Sequence, residues 1–352
     1  AGAARKQRKP GHTSLCATAS IGRKPKPGGV CLFFRPGRGR AKGDVRLRLT
    51  ASVRALKSRR PRFDPLPYAL IAPIALLLLA ISVYPTFYAI WLAMTDASLL
   101  RLARAQFIGI GNFVRMAGDG IFLEGLWRTL RWDLAVVLSE LAIALPIALL
   151  LNLTFRGRGF VRAAMMVPYI TPPAVVGLVF CYMVDGNFGV INDLLVKAGV
   201  LDRYAAWLSD PTASFWVVVS AMVWYGQPLM ALILLAVRQT IPPELYEAAR
   251  VDGANPWHMF WHITLPHLVP TILFLLLLRI IWMSNHIDMI FIMTQGGPGF
   301  SNYTEAVYSF RLTTQFEIGY ASAVAVALAL ILVAASVMYV RHLARSVLAQ
   351  SS

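Results

Sequence analysis

The residues best suited to chemistry lie in strongly apolar surroundings. Arg279, Trp282 and His286 recur at i, i+3 and i+7, one stripe of a helix, with Asn285 beside it and Asp288 just beyond. An indole face stacks on the C–H face of a sugar ring while amide, imidazole and carboxylate pair with hydroxyls, so this group suits a polyhydroxylated solute. Tyr225 and Gln227, next to Pro228, offer a further aromatic and a further amide. Hydrogen bonding between helices or to loops is the competing role for Asn285, His286 and Asp288. Arg279 has its own alternative: near the middle of an apolar segment it needs an anionic partner, and Glu140 is the acidic candidate for a buried ion pair. His258 and His262 are four apart with His267 nearby, but Met259, Phe260 and Trp261 lie between them where H-E-x-x-H carries its Glu. They are read as surface histidines, and no metal is expected. Neither a G-x-x-x-x-G-K-[ST] run nor a nucleophile with its base is present, so no catalysis is expected of this chain.

Such groups need elements that hold them within a membrane. Hydrophobic residues are 57% of the 352 and charged residues 14%, against about 25% charged in soluble domains. Six apolar segments of about the 20 residues needed to cross a bilayer core run near 68–94, 129–153, 163–184, 215–237, 268–289 and 320–340. The expected fold class is an all-α membrane protein, a bundle of six transmembrane helices. Lys57, Arg59, Arg60 and Arg62 precede the first segment, and Arg341 and Arg345 follow the last. Arg156, Arg158, Arg162, Arg238 and Arg250 sit in the even-numbered connections. Basic residues stay on the cytoplasmic side, which places both termini there. In the first outer loop Arg101, Arg104 and Arg115 are offset by Asp96, Asp119 and Glu124.

The formal net charge of +17 belongs to one end, since residues 1–64 hold 18 Lys and Arg against Asp44 and Asp64. Lacking apolar periodicity, this segment is read as a basic, disordered extension rather than a nucleic-acid-binding module. Translation from a misassigned start is the alternative, because no Met opens it. Its apolar run, residues 30–34, is shorter than the roughly 7–15 residues of a signal-peptide core, so no cleaved export signal is expected. Cys16, Cys31 and Cys181 form no CxxC pair and read as incidental. The expected organisation is the extension at 1–64, a transmembrane domain at 65–345 with a cytoplasmic loop at 238–266, and a tail at 346–352.

That loop has a start, a stop and a restart. Pro242 and Pro243 end the preceding helix, and Glu244 early with Arg250 late suits a helix dipole. Ile241, Leu245, Ala248 and Ala249 fall on one face. Gly253 can take the left-handed stop, and Asn255 with Pro256 can open a second short helix through Trp257, Met259 and Phe260. Pattern alone leaves two readings, an amphipathic turn on the membrane surface or a docking element.

The run Glu247-Ala248-Ala249, Asp252-Gly253-Ala254 and Ile263-Thr264-Leu265-Pro266 resembles the EAA loop of permease subunits of binding-protein-dependent ABC importers. The resemblance implies the type I importer fold in a bacterial inner membrane. It implies a coupling helix seated in a cleft of a separate ATP-hydrolysing subunit, with Glu247, Ala248, Ala249, Asp252, Gly253 and Ala254 as coupling residues. ATP and Mg would sit on that partner, present in two copies, with no cofactor on this chain. A second permease subunit, forming a heterodimer, and a periplasmic solute-binding protein complete the implied assembly. Phe107-Ile108-Gly109 through Gly111-Asn112-Phe113, Met293-Thr294-Gln295-Gly296-Gly297-Pro298 and Gly319-Tyr320-Ala321-Ser322-Ala323 resemble the maltose-type carbohydrate branch. The implied cargo is a mono- or oligosaccharide moved by alternating access, with a polyol or glycerol 3-phosphate as the alternative within that branch. From another class, an ion-coupled secondary transporter would use Asp288 and Glu140 for coupling and have an expendable Glu247.

Overall fold

The first apolar segment folds into α1 (Pro65–Leu78), a π turn (Leu79–Val83) and α2 (Tyr84–Ala93). Pro85 has no N–H to give to the preceding turn, and the helical ladder widens there. From Leu70 onward this span turns its side chains outward, and only Leu92 and Ala93 are buried. These details come from a computed structural model that describes residues 65–350; the basic segment 1–64 and residues 351–352 lie outside the described residues.

α3 (Gly111–Ala117) leads into α4 (Gly120–Asn152). Asp119 caps α4, its carboxylate accepting from the Ile121 amide at 2.9 Å. Phe122, Trp132, Val136, Glu140, Ala144, Ala148 and Leu151 lie on its buried face. The third apolar segment becomes α5 (Arg158–Met165), α6 (Val167–Ile170) and α7 (Pro173–Met183). The span expected at 163–184 is bent, turning by 92° after Ile170. Pro172 and Pro173 each exclude the helical region for the residue before them, and Thr171 and Pro172 take ψ of 132° and 134°. Among the described residues five helices are long and apolar enough to cross a membrane alone, six if this bent pair is one span.

After α8 (Val190–Lys197), α9 (Pro211–Arg238) packs along α4. Asp210 caps it, accepting from the Ala213 amide at 2.7 Å, with Pro211 in the first turn. α10 (Pro243–Val251) is the loop helix. α11 (Pro256–Met259), a π turn (Phe260–Thr264) and α12 (Leu265–Ser284) then run on as one 29-residue helix from Pro256 to Ser284. The separate second helix expected in the loop is therefore the near end of the fifth span. That span also stops short of the expected 289, since Asn285 Nδ2 turns back to the Ile281 carbonyl at 2.9 Å. α13 (Asp288–Thr294), α14 (Glu305–Thr314) and α15 (Ile318–Gln350) complete the described chain, α15 running through most of the expected tail.

Among the described residues two apolar clusters fill the interior. One, holding Trp132, Val136, Met222, Met283, Met289 and Val324, lies away from the loop. The other, holding Ala144, Ala148, Met230, Leu234, Leu268 and Leu275, lies toward it. Along α4, α9 and α12 the residues between the two clusters include Glu140, Gly226 and Arg279.

Candidate functional site

Glu140 and Arg279 meet where the two clusters part. Arg279 Nε donates to Glu140 Oε2 at 2.7 Å and Nη2 to Oε1, a two-pronged pair on side chains that are 0% and 4% exposed. The planar fork matches the carboxylate edge, which is the geometry that offsets the desolvation of both charges. Gly226 makes room for it, since a Cβ there would overlap both Glu140 Oε1 and Arg279 Nη2. About two helical turns away along α4, Ser284 donates to Asp133, a buried pair that the sequence reading missed. Asp133 lies seven residues before Glu140 on the same helix face, and that spacing was the available signal.

Beside the ion pair a cavity of about 300 Å³ is lined by Tyr169, Tyr225, Arg279, Trp282, Asn285 and His286, with Met222 and Met283. Tyr169, not singled out from sequence, stacks on Tyr225 with ring centroids 5.6 Å apart. Trp282 is 43% exposed and His286 Nε2 is buried without a partner, so the walls offer a ring face and an unused imidazole nitrogen. The Arg279 guanidinium, although it borders the cavity, is occupied by Glu140. Gln227 is placed elsewhere, in a groove with Ser139, Trp216, Ser220 and Trp224, where its Oε1 has no partner. Asp288 opens α13, exposed and outside the cavity lining.

At the loop, Tyr246 is the residue of α10 turned inward. Its hydroxyl pairs with Thr264 Oγ1 at 2.9 Å, and the Arg238 guanidinium lies 4.1 Å from its ring centroid. The loop helix is thus tied both to the end of α9 and to the π turn before α12. Glu247 and Ala248 face outward, Ala249 is half-buried, and Val251 and Trp257 are 88% and 69% exposed. Leu245, Ala248 and Ala249 leave an apolar, small-residue face open, while Ile241 is buried against the bundle. Gly253 stands at φ +81°, and the Ala254 amide closes on the Ala249 carbonyl at 2.8 Å, a left-handed helix stop. Asp252, Gly253 and Ala254 line a second surface hollow with His258 and His262, whose rings stack 3.9 Å apart.

A family model described as "Binding-protein-dependent transport system inner membrane component" matches residues 141–348, more than half of the chain. The chain belongs to that family. As a permease component it transports rather than catalyses, and it is a multi-pass protein of the inner membrane. The sulfoquinovosyl glycerol transport system permease protein SmoG of Agrobacterium fabrum is 37% identical over 77% of this permease and 88% of its own length. The trehalose/maltose transport system permease protein MalF of Thermococcus litoralis is 29% identical over 78% and 92%. In fold, the permease resembles a chain of the bacterial alginate ABC transporter solved in complex with an alginate pentasaccharide-bound periplasmic protein. That likeness has a TM-score of 0.71 at 24% identity, over 81% of the permease and 95% of that chain.

The permease's remaining motif residues hold its other end together. Asn112 Nδ2 donates to the carbonyls of Ala93 and Thr95 at 2.9 and 2.8 Å, fastening the close of the first span. Gly319 lies against the Thr95 backbone so tightly that no Cβ fits. The Tyr308 and Tyr320 hydroxyls both donate to Asp119. Burial raises the Asp119 pKa, but these bonds and the Ile121 and Phe122 amides outweigh it and hold the carboxyl below its ordinary value.

Glu305 is the opposite case. Its backbone amide bonds Thr129 Oγ1 at 2.9 Å, but its carboxyl, fully buried against Gly125, has no hydrogen-bond partner. Burial, then the nearby Asp119 charge, pushes its pKa up from 4.5 to about 8, against the pull of Arg128. The folded protein therefore holds a proton there that the unfolded chain releases. Stability from this group is full below its unfolded value of 4.5 and declines as pH rises toward about 8. Glu305→Gln is expected to flatten the fall in melting temperature of the purified transporter between those two pH values. An identical slope in both proteins would assign the pH dependence to another group.

Proposed function

We propose that this permease carries a neutral mono- or oligosaccharide across the membrane by alternating access, driven by ATP hydrolysed on a separate subunit. The observation that carries the reading is the aromatic and amide-lined cavity beside an arginine already neutralised by Glu140. Tyr169, Tyr225 and Trp282 provide ring faces, Asn285 and His286 hydrogen bonds, and no unpaired cation lines this cavity among the described residues. That last point favours an uncharged sugar or a polyol over glycerol 3-phosphate, which would need one. The printed name of the trehalose/maltose relative supports an uncharged carbohydrate cargo. The sulfoquinovosyl glycerol of the other relative is also a sugar derivative but carries a sulfonate, which would need a free cation that is not among the described residues lining this cavity.

The coupling route in this proposal is α10. Glu247, Ala248, Ala249, Asp252, Gly253 and Ala254 would meet a cleft on the ATP-binding subunit, two copies of which carry ATP and Mg. A second permease subunit would form the other half of the pathway in a heterodimer, and a periplasmic solute-binding protein would deliver the sugar. The loop and both termini would be cytoplasmic, which the arginines at this end of the bundle support. Asp288, near the cavity though not lining it, would face arriving solute.

The test is a thermal-shift screen of the cognate solute-binding protein against neutral sugars, polyols and anionic sugars. The hits are then assayed for stimulated ATP hydrolysis by the transporter in proteoliposomes. Neutral saccharides are expected both to stabilise the binding protein and to stimulate hydrolysis. Stimulation by anionic solutes alone would overturn the cargo assignment, and uptake without any ATPase subunit would overturn the mechanism.

A further inference from the structure

A cavity of about 660 Å³ opens under the loop helix, bounded by the ends of α4 and α9, the start of α5, α10 and the π turn. Arg158, Arg238 and Arg250 reach it from three separate elements, and no Asp or Glu is among its lining residues. None of the three makes a salt bridge among the described residues. Three arginines thus line one space with no carboxylate among the lining residues, a charge balance that suits an anion. Arg238 is held in place by the Tyr246 ring, and Asn152 and Gln239 add amide groups to the lining. The remaining wall is apolar, from Leu149, Leu153, Met259 and Phe260. Leu153 and Asn152 mark the level at which α4 leaves its apolar run, so the cavity lies at the membrane–water boundary.

We propose that this cavity binds the headgroup phosphate of an anionic phospholipid from the leaflet on the loop side. Guanidinium forks suit a phosphate, and the apolar wall suits the glycerol and first acyl carbons, which a free phosphate ion would leave uncovered. Arg250 and Tyr246 belong to α10, so an occupied site steadies the helix that carries Glu247. Lipid charge then sets how firmly the loop is held.

Native mass spectrometry of the assembled transporter, delipidated and titrated with phosphatidylglycerol or phosphatidylcholine, reads this directly. Preferential retention of phosphatidylglycerol is expected, falling about fivefold for each of Arg158→Gln and Arg238→Gln. Arg156→Gln removes a neighbouring exposed charge outside the cavity and is expected to leave the preference unchanged. An equal loss with Arg156→Gln would mean only a diffuse basic surface and would overturn the site. Displacement of the lipid by millimolar inorganic phosphate would overturn the lipid as occupant, as would its loss when the ATP-binding subunits dock. Should Arg238→Gln fail to assemble, Arg158→Gln against Arg156→Gln still decides the matter.

Discussion

Glu140→Ala is expected to destabilise the permease by about 3–5 kcal/mol, the cost of leaving one member of a buried ion pair without its partner. Arg279 is 3% exposed as a residue, and besides Glu140 its side chain meets the Met283 sulfur and, 5.9 Å away, the Trp282 ring, neither of which carries a negative charge. Arg279→Ala should be similarly harmful, since it strands the carboxylate. The double change Glu140→Met with Arg279→Met should be milder than either, because two apolar side chains need no desolvation. Gly226→Ala should approach the single variants in severity, because its methyl group would separate the two charges. Denaturation midpoints of detergent-purified protein give the comparison. A double variant as unstable as the singles would refute a closed pair. An Arg279→Met variant that folds normally but raises the KM for uptake would instead favour the competing role for Arg279 as a contact for solute.

Glu247→Ala should weaken attachment of the ATP-binding subunit by about 10- to 100-fold, the worth of one hydrogen bond to a charged group. Among the described residues nothing uses this side chain: it is exposed and makes no hydrogen bond or salt bridge there. Insertion and folding should therefore be normal while sugar-driven ATP hydrolysis falls. Gly253→Val tests the same joint by another route, since φ of +81° costs a β-branched residue on the order of 1–2 kcal/mol and would turn Asp252 and Ala254 away from their present positions. Co-purification with the ATP-binding subunit and uptake in proteoliposomes are the readouts. Full uptake by both variants would return the loop to an amphipathic turn and revive the ion-coupled alternative.

Helices and loop were legible because their signals are local. Apolar length located the spans, and Gly253, Asn255 and Pro256 located the stop and restart around α10. The fold of the third span was harder: Pro172 and Pro173 were visible, but a membrane bundle tolerates proline, and only the surrounding packing decides between a kink and a 92° break. Tyr225 and Gln227 were grouped because they are neighbours in sequence, yet two residues of a helix stand about 200° apart, so they face different cavities. Asp119 with Tyr308 and Tyr320, Glu305 against Gly125, and Tyr169 on Tyr225 depend on contacts between distant segments. No periodicity announces those, and the cavity's stacked tyrosine pair went unread for that reason.

The unbroken helix from Pro256 to Ser284 makes the loop and the cavity two ends of one lever. At about 1.5 Å per residue its 29 residues span roughly 43 Å, from Pro256 beside the Gly253 stop to Ser284, just past Trp282 in the cavity wall. A tilt of about 5° about one end would carry the other by about 4 Å, comparable to the width of a sugar ring's stacking contact. The π turn at Phe260–Thr264 lies at the point where Tyr246 grips this lever through Thr264. Force applied to the loop helix would thus enter this shaft near Thr264, with Trp282 at its far end, where a small tilt becomes a larger displacement.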